Sequence, residues 1–176
     1  MTPEAVKAIS PHLDAINVDL KCFSDETYRK VCSGRLEPVL ECLQALRQAG
    51  IWVEVTTLVV PGLNDTEAEL RQIADFISEK LGPHVPWHVS RFHPNYKNID
   101  TPATPLATLE LACDLGRQAG LKYLYCGNVP GQADERTHCP SCQKMLIDRM
   151  GFSVERMYLK DGACPHCQTL IEGVWE

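Results

Sequence analysis

Strand-like and helix-like stretches alternate along this chain, and that alternation limits its fold more than any other feature. Strand character appears at Ala15 to Lys21, Trp52 to Val60, Trp87 to Phe92 and Leu121 to Cys126. Between them lie helical stretches: Leu36 to Ala49, the run opened by Asn64-Asp65-Thr66 and closed by Gly82, and Thr104-Pro105 to Ala119. Strands thus return roughly every 35 residues with a helix between each pair, the mark of successive βαβ units. Such units build a parallel sheet through right-handed crossovers. The helices are apolar along one face only, so they are expected on one side of the sheet. Four parallel strands covered on one side cannot close a barrel. The expected class is therefore α/β: the carboxyl-terminal part of a TIM-like (β/α) barrel, with a small complete α/β domain as the alternative.

Composition narrows the setting. An apolar fraction of 44% supports a core, and a net charge of −6 weighs against a dedicated nucleic-acid binder. No apolar run is long enough to span a bilayer, and no signal-peptide pattern precedes Asp14. The expected compartment is the cytoplasm, with no membrane partner.

In parallel α/β architectures ligands gather at the carboxyl ends of strands. Here those ends read Asp19-Leu20-Lys21, Pro61-Gly62-Leu63-Asn64, Arg91-Phe92-His93-Pro94 and Gly127-Asn128. A carboxylate, two cations and a histidine suit a small zwitterion such as an amino acid moiety. In the first strand Ile16, Val18 and Leu20 face one way, while Asn17, Asp19 and Lys21 face the other. In the third, His88 and Ser90 share the face directed into the barrel, and His93 lies past the strand where it can turn back. Pattern alone leaves the choice between His88 and His93 open.

Nine cysteines, an odd count without a secretion signal, argue against a disulfide scaffold. Cys22, Cys32, Cys42, Cys113 and Cys126 have no ligand spacing and read mostly as buried thiols. The other four form Cys139-Pro140-Ser141-Cys142 and Cys164-Pro165-His166-Cys167, the spacing of a closed, four-thiolate structural site. Residues 153–159 have strand character, with Phe152 at their start, and Asp161-Gly162 marks a turn, so a hairpin joins the pairs. Zn2+ is the expected ion; iron in a rubredoxin-like site uses the same geometry. This divides the chain into a barrel part, residues 1–131, and a zinc ribbon, residues 132–176, with Gln132 to Arg136 as linker.

Taken in order, Asp19-Leu20-Lys21, Val59-Val60-Pro61-Gly62-Leu63-Asn64-Asp65, Trp87-His88-Val89-Ser90-Arg91-Phe92-His93-Pro94, Gly127-Asn128-Val129-Pro130-Gly131 and the two cysteine pairs resemble the radical SAM enzymes of the AmmeMemoRadiSam system. These are relatives of the pyruvate formate-lyase activating enzymes. The resemblance implies a partial TIM-like barrel in which S-adenosylmethionine and a [4Fe-4S] cluster meet at the strand ends. It implies that Asp19, Lys21 and His93 line the S-adenosylmethionine site. It also implies partnership with Memo-like and AMME-domain proteins.

One departure stands against those matches. The family holds its cluster with a CxxxCxxC motif, which occurs nowhere in this sequence. The chain is expected to lack the radical-generating cluster, to be inactive alone, and to work with an amino-terminal barrel half encoded elsewhere or lost by truncation. Two other classes compete: a zinc-ribbon module docking a protein or nucleic acid, and a rubredoxin-like electron carrier.

Overall fold

The computed structural model describes residues 1–129, 135–151 and 153–175. The chain opens with α1 (Pro3–Ile9), capped by Thr2, whose hydroxyl accepts from the Ala5 amide. A short 3-10 turn leads into β1 (Ala15–Asp19). Then follow α2 (Asp25–Cys32), α3 (Leu36–Gln48), β2 (Trp52–Val59), α4 (Glu67–Phe76), β3 (Trp87–Arg91), α5 (Leu106–Gln118) and β4 (Leu124–Gly127). The four strands pair in the order β1-β2-β3-β4, every pair parallel. The expected α/β architecture is present, with a parallel sheet and helices that share one core.

Register decides the two faces of the sheet. Val55 lies opposite both Val18 and Trp87, and Thr57 lies opposite Val89. Val53, Val55, Thr57, Val59, Trp87 and Val89 are fully buried, and leucines and isoleucines of α3, α4 and α5 join them in one core. The other face carries a row of Asp19, Thr56, His88 and Tyr125 and remains half exposed. His88 therefore lies on the inner face, as the alternation implies. Gly116 shows how tight the helix side is: a Cβ there would sit 2.5 Å from Leu124 and 3.2 Å from Trp87.

A second, antiparallel sheet of β5 (Thr137–His138), β6 (Met145–Met150) and β7 (Ser153–Met157) follows. Asp161 and Gly162 both have positive φ between Lys160 and Ala163, which exchange two backbone hydrogen bonds. That is the expected hairpin turn. A small core of Leu146, Ile147, Ile171, Cys139 and Cys164 also takes in Tyr123, the residue before β4. The Tyr123 hydroxyl donates to Glu172 at 2.7 Å, and Tyr125 shares a hydrogen bond with Thr137 at 2.9 Å. The ribbon is thus packed on the inner side of β4, not tethered loosely beyond it.

Several local expectations differ. Helix α4 is capped by Thr66 alone, and its last turn, Ile77–Leu81, widens to π geometry before Gly82. Helix α5 begins at Leu106 with Pro105 as its cap residue; Thr104 is fully buried and bonds elsewhere. The fourth strand starts at Leu124; Tyr123 just before it accepts from the Trp87 amide and lies in the ribbon core. The expected linker at Gln132 to Arg136, the Pro130-Gly131 turn and the strand start at Phe152 fall wholly or partly outside the described residues.

Candidate functional site

The carboxyl edge of the parallel sheet is held by side chains that bond strand ends to one another. Thr57 donates to the Leu20 carbonyl at 2.9 Å and accepts from the Trp87 indole at 3.0 Å. Asn64, 1% exposed, accepts from the Val60 amide at 2.7 Å and donates to the Lys21 and Leu58 carbonyls at 2.6 and 2.9 Å. The Lys21 amide donates to the Tyr28 hydroxyl, whose pKa burial pushes up to about 12. Thr104 donates to the Val59 carbonyl at 2.6 Å and accepts from the Phe92 amide at 3.0 Å. Asn128, in the left-handed region at φ 60°, donates to the Arg91 carbonyl. All of these except the Thr57–Trp87 bond satisfy a backbone group that would otherwise be left open.

On this edge Asp19 and Lys21 form an ion pair of 2.8 Å, both side chains about half exposed. His93 sits beyond β3 and its Nε2–H donates to the Asn128 carbonyl at 3.0 Å. Asp19 and His93 belong to β1 and β3 ends, with β2 between them, so they share the edge without touching. His88 has a different partner: its Nε2 lies 2.8 Å from Glu54, and its ring stacks on Tyr125 at 4.9 Å. Glu54 also accepts from the Trp52 indole. Burial opposes its ionisation, but His88, Trp52 and Arg149 outweigh that and hold its carboxyl below the usual range. Glu54 and Thr104 were absent from the strand-end residues expected from sequence, where Asn64 stood only as part of a turn. A carboxylate, the one charged residue of β2, was the available signal for Glu54.

The four ribbon cysteines converge, with all four sulfurs within 4.8 Å of one another. Cys139 and Cys167 sulfurs lie 3.5 Å apart, Cys142 and Cys164 3.7 Å. A tetrahedral ion with 2.3 Å metal–sulfur bonds needs sulfur–sulfur edges of about 3.8 Å, so the donor set fits. The two turns are twins. Gln143 and Gln168 have positive φ, and their amides donate to the Cys139 and Cys164 carbonyls, each at 2.9 Å. The amides of Lys144 and Thr169 likewise donate to the Cys142 and Cys167 sulfurs. Hydrogen bonds from Thr169 draw the Cys167 thiol down to about 6. For Cys142, the Lys144 amide favours thiolate but desolvation and the other thiols outweigh it, to about 12. Such a cluster shares charge that a cation would neutralise.

The remaining cysteines form no such group among the described residues. Cys22, Cys42 and Cys113 are buried, Cys126 is half-buried and Cys32 is exposed. The Cys113 thiol is pushed up by its hydrogen bond with Cys126 and by burial. These residues do not fit a three-thiolate iron–sulfur site.

A parallel α/β sheet with helices on one face is an architecture whose ligands gather at the carboxyl ends of the strands. Residues 1–77 match the model of the Radical SAM superfamily. The fold is similar to the crystal structure of a domain of pyruvate-formate lyase-activating enzyme from Bacteroides vulgatus ATCC 8482. The TM-score is 0.61 at 16% identity, over 71% of this chain and 74% of that one. The chain is also 48% identical over 152 residues to the uncharacterized protein MJ0808 of Methanocaldococcus jannaschii, covering 86% of this chain. It spans about half the length of that curated relative (45%). The superfamily match thus covers residues 1–77, and the structural likeness shows the fold. None of the described helices is long and apolar enough to cross a membrane.

Proposed function

We propose that this chain works as the carboxyl-terminal part of a radical SAM enzyme, supplying one wall of the S-adenosylmethionine site and a structural zinc ribbon. What carries the reading is the combination of the superfamily match over residues 1–77 with a sheet edge that holds Asp19, Lys21 and His93. Asp19 and Lys21 offer a carboxylate and an ammonium to the charged ends of an amino acid moiety. His93 adds a polar group across β2. The cluster ligands are not in this sequence, so reductive cleavage belongs to an assembly that contains a CxxxCxxC segment. The AmmeMemoRadiSam relationship, with Memo-like and AMME-domain partners, is part of the same proposal.

The test joins the chain to a cluster-bearing radical SAM segment, reconstitutes iron and sulfide without oxygen, and measures reductive cleavage of S-adenosylmethionine. Asp19→Ala and Lys21→Ala should each lower cleavage at least tenfold. Their ion pair is exposed and worth only about 0–1 kcal/mol, so folding should hardly change. Undiminished cleavage in both variants would refute the assigned roles. For the ribbon, metal analysis of purified protein should find one zinc per chain; iron with red colour would instead mark an electron-transfer site.

A further inference from the structure

A hollow of about 290 Å3 lies on the inner face of the parallel sheet and reaches Gly127 at the end of β4. The sheet contributes Glu54, His88, Tyr125 and Gly127; the ribbon side contributes Glu135, Arg149 and Gly151. Among the described residues, a Cβ built on Gly127 or Gly151 meets nothing within 4 Å. Arg149 is anchored there. One nitrogen of its fork donates to the Thr137 hydroxyl at 2.6 Å and the Glu135 carbonyl at 3.2 Å, and its guanidinium lies 5.9 Å from the Tyr125 ring centre.

The histidine in this hollow is oriented from two directions. Tyr125 stacks against the ring, fixing its plane, while Glu54 engages Nε2. Glu54 is ionised at neutral pH and can only accept, so Nε2 must carry the hydrogen. In the neutral ring this leaves Nδ1 with a bare lone pair, and among the described residues no hydrogen bond is made to it. A carboxylate behind an imidazole, with the far nitrogen open, is the arrangement that makes histidine a base.

We propose that the hollow binds a small molecule bearing a carboxylate or phosphate group, seated against Arg149, and that His88 removes a proton from it. The step balances within the site. A substrate X–H bond breaks heterolytically, the proton goes to Nδ1, and the electron pair stays on the substrate. The imidazolium so formed rests on the Glu54 carboxylate, and the added negative charge faces the Arg149 guanidinium. His88 is the catalytic residue and Glu54 its positioning residue. Asp19, Lys21 and His93 do not line the hollow, so the proposal stands whether or not the S-adenosylmethionine reading holds. Because Arg149 comes from β6, the ribbon completes this site.

Nitrogen-detected NMR of histidine in the intact, zinc-loaded chain tests both parts. In its neutral form His88 should appear as the Nε2–H tautomer. Acetate and inorganic phosphate, titrated separately, distinguish the two ligand classes; at least one should shift the His88 and Arg149 signals saturably. Arg149→Met should weaken that binding fivefold or more, with circular dichroism and zinc content unchanged. Should that variant misfold, Glu54→Ala reads the dyad instead, since loss of the carboxylate should let the ring populate both tautomers. A His88 Nδ1–H tautomer, no saturable shift with either anion, less than fivefold weakening, or an unchanged tautomer in the Glu54 variant would each overturn the proposal.

Discussion

Replacing Asn64 gives the sharpest test of how the strand ends are held. Its side chain makes three hydrogen bonds, one accepted from Val60 and two donated to the Lys21 and Leu58 carbonyls, while almost completely buried. A net worth of about 1 kcal/mol per bond puts Asn64→Ala at about 3 kcal/mol of lost stability. Asn64→Asp keeps the acceptor for Val60 but turns an oxygen toward two carbonyls, so it should cost more at neutral pH. The sign of its pH dependence follows. A carboxyl introduced in that setting has its folded pKa raised above the unfolded value of about 3.9. The variant should therefore recover relative to the parent as pH falls toward that value, and its full deficit should return as pH rises past the folded pKa. Urea denaturation followed by tryptophan fluorescence and far-UV circular dichroism measures both effects. An exposed control, Asn98→Ala, should stay within about 0.5 kcal/mol of the parent. If Asn64→Ala also did so, the strand ends would not be held as described. If Asn64→Asp lost no more than Asn64→Ala at neutral pH, the two donated bonds would be wrong.

Other expectations concern the core, the metal centre and the inner face. Gly116→Ala should destabilise by about 1–3 kcal/mol by equilibrium unfolding, because overpacking against Leu124 and Trp87 exceeds the helix-propensity gain. Cys139→Ser, or removal of the ion by a strong chelator, should drop metal content to near zero by plasma mass spectrometry. It should also expose Tyr123 and Tyr125, whose emission reports the loss of the ribbon core. Glu54 has its folded pKa depressed, so its contribution is present above the unfolded value of about 4.3 and fades as pH falls through the lower folded one. The stability difference between parent and Glu54→Gln should accordingly shrink in acid, and a difference that stayed constant down to strongly acidic pH would contradict the assignment.

The parallel sheet was legible because periodicity is a global signal: apolar stripes on α3, α4 and α5 and β-branched runs at β2 repeat over many residues. The cysteine quartet was legible because a tetrahedral ion needs two paired turns at close to that spacing. Asn64 and Thr104 were misread for a local reason. Each stands just before a helix, where Asn and Thr usually cap, and only the neighbouring strand ends make them buried connectors instead. The Glu54–His88 pair joins residues 34 apart, and Arg149 reaches them from a separate sheet. Such meetings depend on register and docking, which a single sequence does not encode in any short pattern.

The twin cysteine turns are alike in backbone but not in depth. Cys139 and Cys164 are buried, Cys142 is intermediate and Cys167 is exposed. An ion bound there would have two sheltered bonds, one partly covered and one that solvent reaches most freely. Departure would begin at Cys167, where water, a chelator or an oxidant can attack first, and the other three would let go only afterwards. The centre should therefore exchange its ion through a single doorway, with a rate set by one side chain while its affinity is set by four.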